Sequence, residues 1–440
     1  MHTIDQLRSG QLAGIHRLAL SCELTAFPPE IFDLADSLEI LDLSGNLLTE
    51  LPDDLTRLHK LRVIFCSNDR FTHLPDVLGR MPELTMVGFK ANRIRVVSPD
   101  SLPPKLRWLI LTDNEVEELP NDIGSCGDLQ KLMLAGNRLQ NLPASLAKCE
   151  RLELLRIAEN DLDALPLWLL TLPRLSWLAY SGNPFSAALE SEALASSSIS
   201  DIPWRGLQLE ELLGQGASGV IHRAGINDHG EPPRAVAVKL FKGAMTSDGS
   251  PASEIASAVR AGTHPHLIGA IGRVSDHPKG VLGLVLHLIP EEFKTLAGPP
   301  SLQSCTRDIY ERSTSFDMAT VLLIARGIAS AAEHLHARGI MHGDLYAHNI
   351  LFSPDDRALI GDFGAASVYA SADRRMAQGL QRLEVRAFGC LLEELIERCT
   401  ASREQAETLK SLNDLKFACL SSAPASRPLF AEISSILGGL

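Results

Sequence analysis

The amino-acid sequence predicts a multidomain chain in which an α/β repeat array precedes an α+β domain. Three observations lead to this prediction. The chain has 440 residues, which is too long for one ordinary hydrophobic core. A leucine-rich phrase recurs every 22 to 24 residues through the first half. From residue 207 the pattern changes to strand-like runs around a glycine-rich loop.

Bulk composition narrows the classes of function. Hydrophobic residues make up 45% and charged residues 22%, and the formal net charge is -13. A globular chain with this acidic balance argues against non-specific nucleic-acid binding, which needs a basic surface. The amino terminus lacks the apolar core of a signal peptide, and no run of about 18 uncharged apolar residues suggests a membrane span. We therefore expect a cytoplasmic protein without a membrane span.

The eight cysteines contain no C-x-x-C pair, so a zinc site is not expected. Cys126 and Cys149 occupy equivalent positions of adjacent repeats, and the sequence leaves a bridge between them open. Free thiols in a reducing compartment are the simpler expectation.

The repeated phrase is clearest at residues 38–52, and it returns at 129–143 and 152–166. Each copy places leucines in an L-x-L strand, then an asparagine, then Leu-Pro. One copy cannot bury its own leucines, but a stack of copies shares a continuous core. The asparagines are Asn46, Asn68, Asn92, Asn114, Asn137, Asn160 and Asn183. A copy at 15–28 with Glu23 at this place makes eight, with atypical first and last copies.

This pattern resembles the leucine-rich-repeat family over residues 12–187. The resemblance implies a solenoid in which the asparagines form a structural ladder along the turns and are not catalytic. Strand residues that flank the inward leucines should face the concave surface. They are unusually large and apolar: Ile40, Val63, Phe65, Met86, Trp108, Ile110, Met133, Leu154 and Trp177.

An apolar concave surface predicts a contact site, since exposed apolar patches mark interfaces. A protein substrate or partner is expected on Phe65, Trp108, Met133 and Trp177, and docking within the chain remains open. After Phe185 the repeat stops, and small polar residues predict a linker over 188–204.

The second half contains a phosphate-binding pattern. Gly214, Gly216 and Gly219 form G-x-G-x-x-G between two strands, and Val236-Ala237-Val238-Lys239 follows. Glycines let backbone amides approach phosphate oxygens, and a lysine offsets phosphate charge. Glu254 lies on a predicted helix and is a candidate carboxylate partner for Lys239.

A second constellation lies further along the chain. His342-Gly343-Asp344 is followed by Asn349 and then by Asp362-Phe363-Gly364. This spacing, together with the upstream lysine, resembles the protein kinase family over residues 207–440. The resemblance is closest to the tyrosine-kinase-like serine/threonine group. It implies a bilobal kinase fold over 205–440, with a small lobe at 205–289 and a large lobe at 290–440.

The resemblance also implies roles for individual residues. Asp344 would orient the acceptor hydroxyl and take its proton, and Lys239, paired with Glu254, would hold the α and β phosphates of ATP. Asn349 and Asp362 would ligate Mg²⁺. Leu213, Ile221, Ala237 and Leu351 would enclose the adenine. Leu286 would be the gatekeeper, and the segment around Leu288 the hinge.

Four departures from the family pattern bear on activity and regulation. Gly343 replaces the arginine that receives an activation-loop phosphate in regulated kinases. Tyr346 and His348 fit neither the serine/threonine nor the tyrosine class. Only nineteen residues separate Gly364 from Glu384, and no A-P-E motif appears. Glu384 itself replaces an aspartate.

The function predicted from these residues is transfer of the γ-phosphate of ATP to a serine or threonine hydroxyl of a protein. The repeats would serve as an interaction or regulatory module. A nucleotide-binding pseudokinase scaffold is the alternative, and a kinase acting on a small molecule is a third possibility that the missing A-P-E would suit.

Overall fold

A computed structural model describes residues 2–195, 199–216, 218–226, 234–243, 245–246, 248–355 and 357–440. The chain divides into two compact units, Met1–Arg174 and Leu175–Leu440. The first unit contains the repeats predicted from the asparagine spacing up to the seventh copy. The second begins at Leu175, which is earlier than the boundary predicted at residue 187.

The first unit is built on short parallel strands. A helix, α1 (Ile4–Arg8), precedes them. The strands are β1 (Arg17–Ala19), β2 (Ile40–Asp42), β3 (Val63–Phe65), β4 (Met86–Gly88), β5 (Trp108–Ile110), β6 (Lys131–Met133) and β7 (Leu154–Arg156). Each strand pairs in parallel with the next. The return paths are 3₁₀ turns, Pro29–Leu34, Asp53–Arg57, Asp76–Arg80, Pro99–Ser101, Asn121–Ser125, Ala144–Lys148 and Leu167–Thr171.

The leucines of each copy form the core of the solenoid. In the second copy Leu38, Leu41 and Leu43 are fully buried, as the alternation of strand side chains predicts. Pro52 precedes a 3₁₀ turn, because its fixed φ starts a turn without needing a backbone donor. The stack of leucine-lined copies therefore buries what one copy alone would expose.

The ladder of asparagines satisfies backbone groups between copies. Asn137 accepts a hydrogen bond from the amide of Val116 at 2.9 Å and donates to the carbonyls of Leu111 and Leu134, each at 2.9 Å. Asn46, Asn92, Asn114 and Asn160 bind neighbouring backbone groups in the same way. The predicted structural role of these asparagines agrees with their contacts.

The prediction that Asn68 belongs to the ladder is wrong. Asn68 is exposed and has a left-handed backbone, with φ of 56°. The next residue, Asp69, is buried instead, and its Oδ1 accepts the amide of Leu48 at 2.9 Å. Its Oδ2 is buried and lacks a hydrogen-bond partner among the described residues, where an asparagine would place a donor. Burial raises the pKa of Asp69 to about 6, although the amide of Leu48 acts in the opposite direction.

We expect Asp69→Asn to stabilise the repeat unit at pH 8 by about 3 kcal/mol, since two pKa units correspond to roughly that energy. The folded pKa of Asp69 lies above its ordinary value of 3.8. Its contribution to stability is therefore full at low pH and is lost as the pH rises through about 6. Calorimetry of the full chain should show the full gain at pH 8 and about half of it at pH 5, because pH 5 lies between the ordinary and the raised pKa of Asp69.

The matched control for this change is Asp113→Asn. Asp113 is exposed and has the same left-handed backbone, with φ of 59°, which asparagine also tolerates. A pH 8 gain that is equal in both variants, or absent in Asp69→Asn, would show that the buried charge is not the cause.

The concave strand positions differ in their exposure. Phe65, Trp108, Ile110 and Met133 are half-buried, and the ammonium of Lys131 lies 4.3 Å from the centre of the Trp108 ring. Val63, Met86 and Leu154 are buried. Three of the four residues predicted to bind a partner therefore keep part of their surface accessible.

The prediction of an irregular linker over 188–204 is corrected by the structure, because most of the described part of this segment lies in a helix or a strand. The second unit begins with strand β8 (Trp177–Ala179) and helix α2 (Pro184–Ala195). Strand β9 (Ser200–Pro203) follows and pairs in parallel with residues 272–275. Alanine-rich composition suits a helix, but the small polar residues concealed it at the level of sequence.

The small lobe is one sheet with a helix packed against it. Its strands are β10 (Leu207–Gln215), β11 (Gly219–Ile226), β12 (Arg234–Phe241), β13 (Ala270–Ser275) and β14 (Gly283–His287). Their order across the sheet is β10-β11-β12-β14-β13-β9. Helix α3 (Pro251–Ala261) starts at Ser250, whose hydroxyl accepts the amide of Ser253, a typical N-cap.

The large lobe is mainly helical. Its helices are α4 (Met318–Ala337), α5 (Arg374–Glu397), α6 (Ala406–Cys419) and α7 (Phe430–Gly438). Its short strands are β15 (Lys294–Thr295), β16 (Phe316–Asp317), β17 (Ile340–Met341), β18 (Ile350–Phe352), β19 (Ala358–Ile360), β20 (Ser367–Val368) and β21 (Cys399–Thr400). Helix α4 is, among the described residues, the one helix with the length and composition of a membrane span, but 61% of its most apolar stretch is buried within the protein.

None of the eight cysteines, all of which are described, forms a disulfide bond, and most are buried. No bridge joins Cys126 to Cys149, so the simpler of the two expectations agrees with the structure. Burial raises the pKa of Cys126 to about 11, which keeps this thiol protonated and unreactive at neutral pH.

Candidate active site

A largely apolar cleft of about 440 Å³ lies where β10, β11 and β12 face the first residues of the large lobe. The residues predicted to enclose an adenine and form the hinge all line it: Leu213, Ile221, Ala237, Leu286, Leu288 and Leu351. Lys239, Glu254 and Asp362 line the same cleft. A concave apolar pocket with a few convergent charged groups is the usual form of a small-molecule site.

The three loop positions are occupied by glycine for different structural reasons. A Cβ on Gly214 or Gly216 would meet no atom within 4 Å, so both border open space. A Cβ on Gly219 would lie 2.6 Å from the carbonyl oxygen of Leu240. Gly219 is therefore required by packing against β12, while Gly214 and Gly216 leave room for a ligand to approach the backbone.

Lys239, Glu254 and Asp362 meet at one end of the cleft. The Lys239 Nζ lies 2.5 Å from Glu254 Oε1 and 3.2 Å from Asp362 Oδ1. Strand β12 supplies the lysine, helix α3 the glutamate, and the loop after β19 the aspartate. Asp362 has a left-handed backbone with φ of 58°, and its carboxylate accepts the amide of Gly364. Residues that are far apart in the chain thus form one charged cluster.

The charges of this cluster support one another. Burial by itself would lower the pKa of Lys239, but Asp362 and Glu254 outweigh it, and the pKa is raised. Burial would likewise raise the pKa of Asp362, but Lys239 outweighs it, and the pKa is lowered. The cluster therefore holds a cationic lysine and an anionic aspartate at neutral pH.

The loop from His342 to Asn349 positions Asp344. The Asn349 Nδ2 donates to the Asp344 carboxylate at 2.7 Å and to the Asp344 carbonyl at 3.0 Å. The Asp344 amide donates to His342 Nδ1 at 3.3 Å, so His342 Nε2 carries the proton that is donated to the Gly361 carbonyl at 3.0 Å. This pattern links the loop directly to the residue that precedes Asp362.

Glu384 holds the backbone of the same loop. Its carboxylate is fully buried and accepts the amides of His342 at 3.1 Å and Gly343 at 2.7 Å. The His336 Nε2 lies 2.8 Å from the same carboxylate. Burial acts to raise the pKa of Glu384, but His336, His342 and the Gly343 amide outweigh it, and the pKa is lowered. The glutamate that replaces the family's aspartate thus anchors the loop through its longer side chain.

The donor set fits a magnesium ion that arrives with phosphate. Since the Asn349 amide nitrogen is used by Asp344, its amide oxygen is the atom left to ligate a metal beside the Asp362 carboxylate. Among the described residues no group of three His, Cys, Asp or Glu side chains could hold a metal by itself. Mg²⁺ commonly binds through one or two protein ligands plus substrate phosphates, which agrees with this pair.

Two contacts of the loop were not predicted from the sequence. The first is Asp308, which is buried and lies 2.7 Å from the Nδ1 of His348. Burial acts to lower the pKa of His348, but Asp308 outweighs it, and the pKa is raised. An aspartate 40 residues away therefore favours the protonated form of the histidine at this departure from the family pattern. Nothing in the local sequence around Asp308 signals this partner.

The second unpredicted contact removes Trp177 from the surface that was predicted to bind a partner. Trp177 is only 1% exposed, so it is not available to a separate protein. Its ring stacks on Tyr346 with the ring centres 4.2 Å apart and the planes inclined by 7°. Trp177 therefore follows the alternative that the sequence left open, in which a predicted concave residue docks within the chain. Tyr346 is correspondingly buried beside Asp344.

The segment after Asp362 is short, as the sequence predicted. Ser367–Val368 forms strand β20, which pairs antiparallel with β17. Helix α5 already begins at Arg374. Ser367 and Tyr369 are buried, so neither is accessible for phosphorylation in this conformation.

Comparison with known proteins agrees with both halves of the chain. Residues 207–388 match the protein tyrosine and serine/threonine kinase family, and residues 37–58 match the leucine-rich repeat. The chain is 24% identical over 284 residues to the tyrosine-protein kinase receptor TYRO3 of Mus musculus, over 54% of this chain and 32% of the receptor. The same figures hold for the TYRO3 receptor of Rattus norvegicus.

A further relative is the probable serine/threonine-protein kinase kinX of Dictyostelium discoideum. It is 28% identical over 212 residues, which are 40% of this chain and 18% of that protein. The similar region therefore spans about a third or less of these relatives' length. One kind of relative is named for tyrosine and the other for serine and threonine.

Proposed function

We propose that this chain, which matches the leucine-rich repeat over residues 37–58 and the protein kinase family over residues 207–388, transfers the γ-phosphate of ATP to a serine or threonine hydroxyl of a protein. The observation that carries the proposal is the convergence of Lys239, Glu254 and Asp362 at one end of an apolar cleft. Such a cluster offsets phosphate charge where a nucleotide would lie.

The proposed mechanism assigns one task to each side chain. Leu213, Ala237 and Leu351 contact the adenine and exclude water from it. Lys239 binds the α and β phosphates and is oriented by Glu254. Asp362 and the Asn349 amide oxygen would hold Mg²⁺, which supplies charge neutralisation for the departing phosphate.

Asp344 would accept the proton of the substrate hydroxyl as its oxygen attacks the γ-phosphorus. The bond between the γ-phosphorus and the oxygen bridging to the β-phosphate then breaks, and ADP leaves. The Asn349 amide holds the Asp344 carboxylate in place during this transfer. Positioning and electrostatics together account for most catalysis in this class of reaction.

The choice of serine or threonine rests on the segments Glu384–Gly389 and Ser426–Phe430, which resemble the tyrosine-kinase-like serine/threonine group. The half-buried Phe65, Trp108 and Met133 would bind a protein substrate or partner, and the free thiols suit the cytoplasmic location that we propose.

Purified full chain with Mg²⁺ and γ-labelled ATP should label a generic protein mixture, and acid hydrolysis should yield phosphoserine or phosphothreonine. Phosphotyrosine alone would overturn the choice of acceptor while leaving the kinase activity intact. Nucleotide binding with no labelled protein would support the alternative, a pseudokinase scaffold, for which the departures near Glu384 are the motivation.

A further inference from the structure

Strand β8 at the beginning of the second unit contacts the catalytic loop through Trp177. Besides its stacking on Tyr346, the indole Nε1 donates to the carbonyl of Leu345 at 3.2 Å. Leu345 and Tyr346 directly follow Asp344. A stacked aromatic pair together with a buried hydrogen bond restricts both the ring and the backbone, so Trp177 fixes the chain immediately after the proposed proton acceptor.

The residue before Asp344 is also enclosed by this segment. Gly343 has a left-handed backbone with φ of 73°. A Cβ there would lie 2.6 Å from the carbonyl oxygen of Leu178 and 2.5 Å from that of Ala365. An arginine, as in regulated kinases of the family, has no room at this position. The backbone of β8 lies in the space where that side chain would begin.

A third contact reaches the segment that follows Asp362. The Tyr180 amide donates to Ser367 Oγ at 2.9 Å. On the other side, the Ser257 hydroxyl on helix α3 donates to the Ala366 carbonyl at 3.4 Å. Residues 366 and 367 are thus bonded on one side to Tyr180, which directly follows β8, and on the other side to α3.

Helix α2 contacts helix α3 through Glu190. This carboxylate, which is only 9% exposed, accepts the Gly182 amide at 2.8 Å and the Ser186 hydroxyl at 2.7 Å. Its second oxygen accepts the Ser253 hydroxyl at 2.9 Å. Ser253 directly precedes Glu254, the partner of Lys239. Glu190 therefore connects helix α2 to the turn of α3 that carries the lysine's partner.

We infer that residues 175–195, the support segment, are a permanent part of the active site, in which Trp177 positions the catalytic loop and Glu190 positions Glu254. This inference rests on the proposed kinase function and deepens it. The support segment takes the place of loop phosphorylation, because it contacts the catalytic loop, residue 367 and α3 at the same time. The kinase is then competent without phosphorylation, and residues 175–195 cannot be removed without loss of activity.

The two positioning residues predict different kinetic changes. In the full chain, Trp177→Ala should lower kcat about 10- to 100-fold with little change in KM for ATP, because Asp344 is displaced while the nucleotide cleft is intact. Trp177→Phe, which keeps an aromatic ring against Tyr346, should recover most of kcat. Trp168→Ala, the same change on the half-buried Trp168 of the first unit, is the matched control and should keep wild-type kinetics.

Glu190→Ala should instead raise KM for ATP about tenfold, because Lys239 loses its oriented partner. Glu190→Gln should recover it, since serine hydroxyls can donate to or accept from an amide. A role in stability alone would lower the folded fraction and reduce activity without changing KM, so thermal melting of each variant is measured in parallel. Unchanged kcat in folded Trp177→Ala, or a rise that indicates relief of inhibition, would overturn the inference.

Equilibrium dialysis with Mg·ADP keeps this test separate from that of the proposed function. A wild-type chain that transfers no phosphate would refute the kinase activity. Even then, weaker ADP binding by Glu190→Ala than by wild type and Glu190→Gln would support the positioning of Glu254, and equal ADP binding by all three would contradict it.

Discussion

Asp344→Asn is expected to lower the rate of phosphotransfer by a factor of about 10² to 10⁴, the range that a positioned general base contributes. Asparagine has nearly the same shape and still accepts the hydrogen bond from the Asn349 amide, so the loop should keep its conformation. Affinity for Mg·ADP should change little, because Asp344 is not among the residues that line the nucleotide cleft. Initial rates with γ-labelled ATP and equilibrium dialysis measure the two quantities on the same protein.

The matched control is Asp355→Asn, which makes the same substitution at an exposed turn between β18 and β19. It should retain the wild-type rate. A wild-type rate in Asp344→Asn would remove the proton acceptor from the mechanism, whatever the nucleotide affinity.

Asp362→Asn is expected to lower the rate by on the order of 10³-fold, because a metal ion that stabilises transition-state charge is worth several kcal/mol. The substitution removes the carboxylate that lies 3.2 Å from the Lys239 Nζ, while Glu254 at 2.5 Å remains. The lysine should therefore stay in place, and the loss should appear mainly in the response to metal.

A titration of activity with MgCl₂ separates this effect from misfolding. The concentration of Mg²⁺ giving half-maximal rate should rise in Asp362→Asn, and the melting temperature without nucleotide should change little. A residual rate with an unaltered magnesium requirement would show that Asp362 is not a metal ligand.

The sequence predicted the repeat because the residues that specify each copy lie close together in the chain. Leucines at fixed offsets specify the inward face of each strand, and Pro52 and its equivalents begin each return turn. The error at Asn68 is also local: an asparagine and an aspartate stand side by side, and only tertiary burial selects Asp69 for the ladder. The uneven spacing of 22 and then 24 residues around Asn68 was the signal that could have shown it.

The predicted site residues come together because each lies in a motif with its own local geometry. The unpredicted contacts are long-range instead. Trp177 reaches Leu345 across 168 residues and Tyr180 reaches Ser367 across 187, and no periodic pattern encodes such pairs. Gly343 departs from the family pattern in the sequence, but the reason for the glycine, the approach of the Leu178 carbonyl, exists only in the folded chain.

The helix at 184–195 was hidden by its composition. Its small residues predict a linker when read alone, whereas packing of Glu190 against Ser253 stabilises a helix there. Helices of this length depend on tertiary contacts more than on propensity, so a sequence pattern could not show that this segment belongs to the second unit.

The central claim is that Lys239, Asn349, Asp362 and Asp344 act together on the terminal phosphate of one bound ATP. Parallel reactions with ATP labelled in the γ or the α position test it most directly. The account predicts magnesium-dependent label in protein from γ-labelled ATP, and none from α-labelled ATP, whose label stays in ADP. Label in protein from the α position, or from neither, would contradict it.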